Sequence, residues 1–414
     1  MAKKLIGNAI VGQSGGPTAA INATLAGVIK GALECDGINT LYGMRNGIEG
    51  MLSERMIDLS ARFEGGRDLD ALIHTPAAAL GSCRKKLPNP DSDKAEDIAF
   101  FEKVFEIFEK YDIRYFFYIG GNDSMDTVAK LSRYAEKKSY EIRVMGVPKT
   151  IDNDLVATDH TPGFGSAAKF VSTVITEIVR DCAVYTTRAV TIVEVMGRDA
   201  GWLTASAGIG KYVGIDAPDL VYLPERDFSM DEFFASLEKV FEKHPNIVVA
   251  VSEGIRFADG RYVGEGTQSG STDVFGHKYL AGTAKALELA VKEKFGCKVR
   301  SIELNLPQRC ASHLASKTDL DESVAVGAYA VERAADGESG EMVLFLRVSD
   351  KPYEVKLGAK KVSEIANAVR KVPDEYINAE GNHITEACAD YILPLIAGEA
   401  YPEYENGLPK YIVL

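Results

Sequence analysis

The chain has 414 residues, 46% of them apolar and 9% aromatic, so it can bury substantial cores and is long enough for two or three domains. Its 47 basic and 60 acidic side chains give a formal net charge of −13. A protein this acidic has no nonspecific attraction to nucleic acid or to an anionic membrane surface. No apolar run approaches the ~18 residues of a membrane-spanning helix. We therefore expect neither a nucleic-acid nor a membrane partner, and any polyanionic ligand must be held by a local basic cluster.

The six cysteines are scattered along the chain, without a CxxC pair or His/Cys ligand spacing. This pattern predicts neither a disulfide framework nor a zinc site, and it is typical of a protein in the reducing cytoplasm.

Two segments of the chain share one design, and they occupy residues 8–34 and 114–138. Each pattern predicts a short apolar strand, a Gly-Gly turn and an amphipathic helix. Further strands are predicted at RVMGVP, AVTIVEV, NIVVAVSE and VRSIELN, with helix-like segments between them. This alternation indicates parallel sheets covered by helices on both faces, which is an α/β architecture. The Gly- and Ser-rich residues 259–275 are expected to form a long loop, either a surface insertion or a mobile lid.

The two glycine turns read SGGPTAAIN and GGNDSMDT. Paired glycines let the backbone approach a ligand closely, and the N-terminus of a following helix favours phosphate. Neither turn matches GxGxxG or the P-loop, and a purely structural turn is the alternative for each of them. Two such turns in one chain predict a site for an extended polyphosphate.

The segment VPKTIDNDL, residues 147–155, follows a predicted strand. In an extended backbone Asp152 and Asp154 point the same way and Asn153 is turned aside. A solvated turn with Asx capping is the alternative, but it does not account for Lys149. A phosphoryl-transfer site needs a carboxylate base, a carboxylate near a metal ion and a cation near the leaving phosphate, and this segment supplies all three.

Together, SGGPTAAIN, GSCR, GGNDS, PKTIDND, VEVMGRDAG, SEG and PQR resemble the 6-phosphofructokinase family, in the family's order. The resemblance implies two Rossmann-like, three-layer α/β/α lobes with a C-terminal extension. The expected donor-binding lobe comprises residues 1–162 and about 308–340. The expected sugar-phosphate-binding lobe comprises residues 163–307 and about 341–414, including the extension.

The same resemblance implies residue roles at the donor side. Asp152 corresponds to the base that deprotonates the sugar 1-hydroxyl, and Asp154 to a carboxylate near the metal. Thr150, Arg84 and Lys149 would contact or balance the transferring phosphoryl group. The implied donor-binding residues are Gly15, Gly16, Gly121, Asp123, Ser124 and Lys149, and the implied Mg²⁺ neighbours are Asn122, Asp123 and Asp154. Asn122 replaces the family's usual aspartate, which removes one carboxylate from the metal's surroundings.

The implied sugar-phosphate residues are Thr150, Asp152, Arg188, Met196, Gly197, Arg198, Glu253, Arg300, Gln308 and Arg309. Arginine forks suit phosphate oxygens in pairs. In the family, arginines equivalent to Arg188 and Arg300 come from a neighbouring subunit, so a homodimer or homotetramer with shared sites is expected. Leu306 stands where a histidine or tyrosine is common, and one hydrogen bond to the 6-phosphate is expected to be missing.

The phosphoryl donor is expected to be pyrophosphate. ATP-dependent members typically have glycine at the position of Asp123, whose carboxylate would repel an α-phosphate; at ~4 Å and an effective dielectric of ~20 the repulsion is roughly 4 kcal/mol. Lys149 would balance the terminal phosphate. We therefore expect reversible, pyrophosphate-dependent phosphorylation of fructose 6-phosphate at the 1-hydroxyl, in glycolysis and gluconeogenesis. An ATP-dependent kinase is the first alternative, and a noncatalytic regulatory sugar-phosphate-binding subunit is the second.

Overall fold

The structure, a computed structural model, describes residues 5–265, 282–365 and 368–414, so residues 266–275 of the expected long loop lie outside the described residues. The strands in chain order are β1 (Gly7–Gln13), β2 (Ile38–Met44), β3 (Met56–Asp58), β4 (Ile113–Gly120), β5 (Arg143–Pro148), β6 (Ala189–Val195), β7 (Leu220–Tyr222), β8 (Asn246–Ser252), β9 (Lys298–Glu303), β10 (Ala315–Ser316), β11 (Glu341–Asp350), β12 (Tyr353–Lys361), β13 (Glu399–Ala400), β14 (Tyr404–Glu405) and β15 (Leu408–Pro409).

Helices alternate with these strands along most of the chain. They are α1 (Ile21–Glu34), α2 (Gly47–Leu52), α3 (Leu59–Arg62), α4 (Leu69–Ile73), α5 (Ala95–Lys110), α6 (Asn122–Lys138), α7 (Phe164–Cys182), α8 (Trp202–Ser206), α9 (Met230–Phe241), α10 (Thr283–Phe295), α11 (Pro307–Cys310), α12 (Lys317–Ala335) and α13 (Glu386–Ile392). Across the described ranges, none of the helices has the length and apolar character required to cross a lipid bilayer.

The larger sheet has seven strands in the order β12-β11-β5-β4-β1-β2-β3. β5, β4, β1 and β2 are mutually parallel, and β11 pairs in parallel with β5. The two edge strands are antiparallel to their neighbours. Because β1, β4 and β5 are adjacent and parallel, the turns that follow them meet at one edge of the sheet, where α/β proteins bind ligands.

The smaller sheet has four parallel strands in the order β7-β8-β6-β9. Both sheets are covered on both faces. The larger one packs against α1 and α12 on one face and against α5 and α6 on the other. The smaller one packs against α7 and α13 on one face and against α9 and α10 on the other. The predicted pair of three-layer α/β/α lobes is confirmed.

The expected assignment of residues from about 341 onward to the second lobe is wrong for β11 and β12. Both strands extend the larger sheet, because Glu341 and Met342 pair with Met145 and Gly146 of β5. The chain then crosses over: residues of α13 and its flanks pack in the core of the second lobe, whereas Ile412 and Leu414 pack against the first. The extension therefore belongs to both lobes.

The first glycine turn also differs from its prediction. Helix α1 begins at Ile21, with residues 17–20 between it and Gly16, so its N-terminus does not lie at the glycine pair. The second turn has the predicted form, because α6 begins at Asn122, directly after Gly121.

Helices α1 and α12 cross at two glycines. A Cβ atom on Gly27 would lie 2.0 Å from the carbonyl oxygen of Val324, and one on Gly327 would lie 2.2 Å from that of Thr24. Neither backbone oxygen can move aside without shifting its helix. The glycines are therefore required by the close approach of the two helices.

We expect Gly27→Ala to lower the free energy of unfolding. Overpacking costs about 1–3 kcal/mol, which exceeds the up to ~1 kcal/mol that alanine adds to helix stability. Gly31→Ala, one turn along the same helix, is the milder comparison and should cost less, because its Cβ would lie 3.1 Å from the Val331 Cβ and 3.2 Å from the Ala328 carbonyl oxygen. Thermal and denaturant unfolding midpoints measure both effects. A Gly27→Ala protein as stable as the wild type would contradict the close approach.

Candidate active site

The turns at the carboxyl ends of β1, β4 and β5 face the loops that follow β6 and β8 across two adjoining cavities. The larger, of about 450 Å³, is lined by Ser14, Gly15, Gly16, Arg84, Gly121, Asn122, Asp123, Ser124, Lys149, Thr150, Asp152, Asp154, Arg198, Asp199, Ala200, Glu253 and Val369. The smaller, of about 210 Å³, is lined by Gly16, Pro17, Thr18, Arg84, Lys149, Thr150, Ile151, Asp152, Met196, Glu253 and Arg309. Most of the predicted site residues therefore come together.

The SGG turn is held by the neighbouring GSCR segment. The Gly15 N–H donates to the Cys83 carbonyl at 3.2 Å, and the Ser82 hydroxyl donates to the Gly15 carbonyl at 2.6 Å. Gly15 has φ +79°, a left-handed conformation that favours glycine. A Cβ atom there would also lie 3.2 Å from the Lys149 Nζ, so the absence of a side chain lets the ammonium group approach the turn.

The GGNDS turn opens helix α6 at the larger cavity. A Cβ atom on Gly120 would meet the Ser124 Oγ at 1.9 Å, so this position needs glycine for the turn to fold back on the helix. The positive end of the α6 dipole lies here, which suits an anion. The Asp123 carboxylate is 3.5 Å from the Lys86 ammonium, and both side chains are about half exposed. Its negative charge is thus partly offset, which weakens the repulsion expected from the sequence.

Lys149 is buried between the two turns. Its ammonium donates to the Gly16 carbonyl at 2.7 Å, and its side chain is almost inaccessible to solvent. Burial lowers the pKa of Lys149 to about 8, although Asp152 and Asp154 act in the opposite direction. The ammonium is thus a poorly hydrated charge that a phosphate oxygen would stabilise.

The two carboxylates after Lys149 have raised pKa values. Burial raises the pKa of Asp152, and burial together with the Asp152 charge raises that of Asp154 to about 7. The Thr150 hydroxyl accepts from the Asp152 N–H at 3.1 Å, which fixes the start of the loop. A buried carboxylate with a raised pKa is a stronger base than an exposed one, as proton abstraction requires.

Asn153 turns away from the cavities, as predicted. It has φ +53°, and its side-chain amide donates to the Tyr391 hydroxyl at 2.9 Å. The C-terminal segment also binds the loop at Asp154, whose carbonyl accepts from the Arg370 N–H at 2.8 Å. These contacts hold the loop from the side opposite the SGG turn.

The smaller cavity is shaped by the loops after β6 and β8. The Met196 N–H donates to the Gln308 side chain at 3.1 Å, and the Gly197 N–H to the Glu253 carboxylate at 3.3 Å. Burial raises the pKa of Glu253 to about 8. Arg309 approaches the SGG turn, because a Cβ atom on Gly16 would lie 3.3 Å from its guanidinium. These residues adjoin Lys149 and Asp152 on the side away from the GGNDS turn.

Three of the arginines that were predicted to bind the sugar phosphate do not line the smaller cavity. Arg198 lines the larger one. Arg188 covers the ring of Phe241 at 4.6 Å, and Arg300 lines a separate cavity of about 40 Å³ together with Tyr185. Within a single chain, Arg188 and Arg300 therefore do not line either cavity.

Among the site residues that sequence reasoning missed, three bear on the chemistry or shape of the larger cavity. Val369 and Asp199 line the larger cavity, and Lys86 pairs with Asp123. Asp199 lies inside the quoted MGRDAG segment and Lys86 directly follows GSCR, so proximity to a motif was a usable signal for both. Val369 has no local signal, because only the path of the C-terminal segment brings it here.

The residues near α6 fit a magnesium ion that keeps most of its waters. Over the described ranges, no three His, Cys, Asp or Glu side chains form a cluster able to enclose a metal. The Asn122 Oδ1 is buried and has no hydrogen-bond partner among the described residues, and it shares the cavity with Asp123 and Asp154. Mg²⁺ usually binds one or two carboxylates together with substrate phosphates and water, which agrees with this sparse donor set.

Comparisons with known proteins agree with this geometry. Residues 8–332 match the phosphofructokinase family (PFK). A protein of Methylococcus capsulatus named pyrophosphate–fructose 6-phosphate 1-phosphotransferase is 43% identical over 411 residues, which cover 98% of this chain and 96% of that protein. A protein of the same name from Halomonas elongata is also 43% identical, over 97% of this chain and 95% of that protein.

Solved structures give the same result. The crystal structure of a pyrophosphate-dependent phosphofructokinase from Nitrosospira multiformis superposes with a TM-score of 0.88 at 38% identity, covering 98% of this chain and 96% of that one. The match spans both lobes and the extension. Together with the family match over most of the chain, these similarities show that the protein belongs to the phosphofructokinase family.

Proposed function

We propose that the protein transfers a phosphoryl group from pyrophosphate to the 1-hydroxyl of fructose 6-phosphate, reversibly, giving fructose 1,6-bisphosphate and orthophosphate. One observation carries the proposal: Lys149, Thr150 and Asp152 line both cavities, between the GGNDS turn on one side and Met196 and Arg309 on the other. A donor in the larger cavity and a sugar phosphate in the smaller would meet at these residues. The names of the most similar relatives support the same reaction.

The chemistry follows from the placement of charge. Asp152 accepts the proton of the sugar 1-hydroxyl, whose oxygen bonds to the terminal phosphorus. The bond from that phosphorus to the bridging oxygen breaks, and orthophosphate leaves. Arg84 and Lys149 stabilise charge on the phosphoryl and leaving oxygens, and the poorly hydrated Lys149 is suited to this because it needs little reorganisation. Because pyrophosphate releases less free energy than ATP, the reaction can run in either direction, in glycolysis and in gluconeogenesis.

A divalent ion, Mg²⁺, is part of the proposal. Asn122, Asp123 and Asp154 are the residues that would hold it or its waters. Bound there, it would neutralise the donor phosphates.

The sugar phosphate would be held from two chains. Glu253 would accept hydrogen bonds from the sugar hydroxyls, and the Met196 and Gly197 backbone would support the ring. Arg309 and Arg198 would approach the phosphate groups of the sugar and the donor. Arg188 and Arg300 lie outside both cavities in one chain, which supports their contribution to a neighbouring subunit's site in a homodimer or homotetramer.

The cytoplasm is the proposed compartment. All six cysteines are free thiols, as expected of a protein kept in a reducing environment.

The direct test is product formation by purified protein with fructose 6-phosphate, Mg²⁺ and either pyrophosphate or ATP. We expect fructose 1,6-bisphosphate with pyrophosphate, and Asp152→Asn should lower turnover by at least ~100-fold with little change in KM. Unchanged unfolding temperature is the control for folding. Turnover with ATP but not pyrophosphate would favour the ATP-dependent kinase, and no turnover with either would favour a regulatory subunit.

Donor choice can be tested at Asp123. Asp123→Gly removes both charge and bulk and should raise kcat/KM for ATP at least ~10-fold, less than full charge repulsion would allow because Lys86 offsets part of it. Asp123→Asn is the matched control, since it removes the charge and keeps the size. If neither variant changes the ratio of kcat/KM for ATP to that for pyrophosphate, Asp123 only supports the first turn of α6.

Sharing of sites between subunits predicts complementation. Arg188→Ala and Asp152→Ala chains, each inactive, should regain up to about a quarter of wild-type activity when reassembled as mixed dimers, because half the sites of a heterodimer carry no lesion. Mixing Arg188→Ala with Arg300→Ala is the control and should restore nothing, because every site of the heterodimer then receives one lesion from the neighbouring chain. Equal activity of the two mixtures, with heterodimers verified by mass spectrometry, would contradict sharing.

A further inference from the structure

Residues 368–372, which we call the strap, cross from the first lobe to the second along the edge of the larger cavity. The strap follows β12 of the large sheet and ends at Val372, which is buried in the core of the second lobe. Val369 is the strap residue that lines the larger cavity. The strap lies beyond the part of the chain that matches the family.

The strap backbone is fixed by hydrogen bonds to both lobes. The Arg370 N–H donates to the Asp154 carbonyl at 2.8 Å, and the Trp202 Nε1 donates to the Arg370 carbonyl at 3.1 Å. The Val372 N–H donates to the Glu225 carboxylate at 3.0 Å. Buried backbone groups with such partners do not move freely. The strap is thus a fixed element at the cavity.

Asn122, which lines the larger cavity at the start of α6, contacts the first residue of the strap. Its side-chain nitrogen donates to the Ala368 carbonyl at 3.1 Å. An ionised aspartate, the residue usual at this place in the family, has no N–H to donate and would set a negative oxygen against that carbonyl. The hydrogen bond to Ala368 therefore requires the side-chain NH₂ group of Asn122. This group fixes the strap, which the side-chain oxygen alone does not do.

The position of Val369 bears on donor length. Its side chain, 46% exposed, shares the cavity with Asn122, Asp123 and Ser124 at the start of α6. A branched apolar group offers no hydrogen bond to a phosphate oxygen, and a rigid backbone behind it prevents the wall from retreating. A donor that extends beyond two phosphates past this turn would have to displace the strap or lose contact with it.

We propose that the strap, held by the Asn122 amide, is the wall that limits the donor cavity to a two-phosphate chain, with Val369 as the specificity-determining side chain. This inference rests on the proposed use of pyrophosphate. Inorganic tripolyphosphate is the suitable probe, because it adds one phosphate without a nucleoside. With it, fructose 6-phosphate would yield fructose 1,6-bisphosphate and release pyrophosphate.

The experiment compares kcat/KM for tripolyphosphate with that for pyrophosphate, at fixed free Mg²⁺. Val369→Gly opens the wall, and Asn122→Asp removes the donor to Ala368 while keeping an oxygen for a metal ion. We expect each change to raise the ratio of the two constants at least ~10-fold. Lys371→Ala, an exposed side chain of the strap, is the control and should leave the ratio at its wild-type value.

The sign of the change that Asn122→Asp causes in this ratio distinguishes release of the strap from a purely electrostatic effect of the added charge. An added carboxylate would disfavour the more highly charged tripolyphosphate and lower the ratio, whereas release of the strap raises it. If Asn122 acted only through a metal ion, aspartate would preserve pyrophosphate use and the ratio would not rise. A rise in the ratio thus identifies the wall.

Trp202 provides a structural measurement that does not depend on activity. It is the single tryptophan of the chain, it donates to the strap carbonyl, and the Arg370 guanidinium lies 4.4 Å from its ring. Release of the strap should change the emission maximum in Asn122→Asp and leave it unchanged in Lys371→Ala.

The outcomes are distinguishable. A wild-type protein that does not use pyrophosphate would overturn the proposed function itself. A wild-type protein that uses pyrophosphate, with a ratio unchanged within about twofold in both Val369→Gly and Asn122→Asp, would overturn the strap as a wall. An increased ratio in Val369→Gly alone would retain the wall and remove Asn122 as its support.

Discussion

The site depends on one buried cation. Lys149 lies out of water, between the carbonyl of Gly16 and the carboxylates of Asp152 and Asp154. A buried ammonium is costly unless it is paired, and the buried carboxylates are costly without it. Gly15 leaves room for the cation, so the SGG turn and the PKTIDND segment depend on each other. Phosphate oxygens would complete the group by supplying the missing solvation of the ammonium.

The C-terminal extension is as much part of the site as the family segments. Tyr391 holds Asn153, and Arg370 holds the backbone of Asp154, so the loop that carries Asp152 and Asp154 is supported from outside the region that matches the family. This support makes the loop a rigid element on which a base can be positioned. The extension also links the lobes, because β11 and β12 complete the first sheet while α13 packs in the second core.

The parts of the fold and site that could be predicted are those with local signals. Strands β4, β5, β6 and β8, the α6 turn and the direction of Asn153 away from the cavities follow from alternation, glycine placement and side-chain direction over a few residues. Which of the two sheets β11 joins could not be predicted. Strand β11 pairs next to Met145, about 200 residues earlier in the chain, and an apolar strand fits either core. Val369 and the Lys86–Asp123 pair depend on the chain's path, and the role proposed for Arg188 depends on a second chain.

The most direct test of this account is the kinetic effect of removing the Lys149 charge. Lys149→Met keeps the length and apolar character of the side chain, and the account predicts a loss of at least ~100-fold in kcat/KM for pyrophosphate, with KM for fructose 6-phosphate changed only a few-fold. Lys149→Arg, which retains the charge, should lose less. The unfolding temperature of each variant verifies that the fold is intact. A folded Lys149→Met enzyme with near-normal kcat/KM for pyrophosphate would contradict the claim that this cation organises the site.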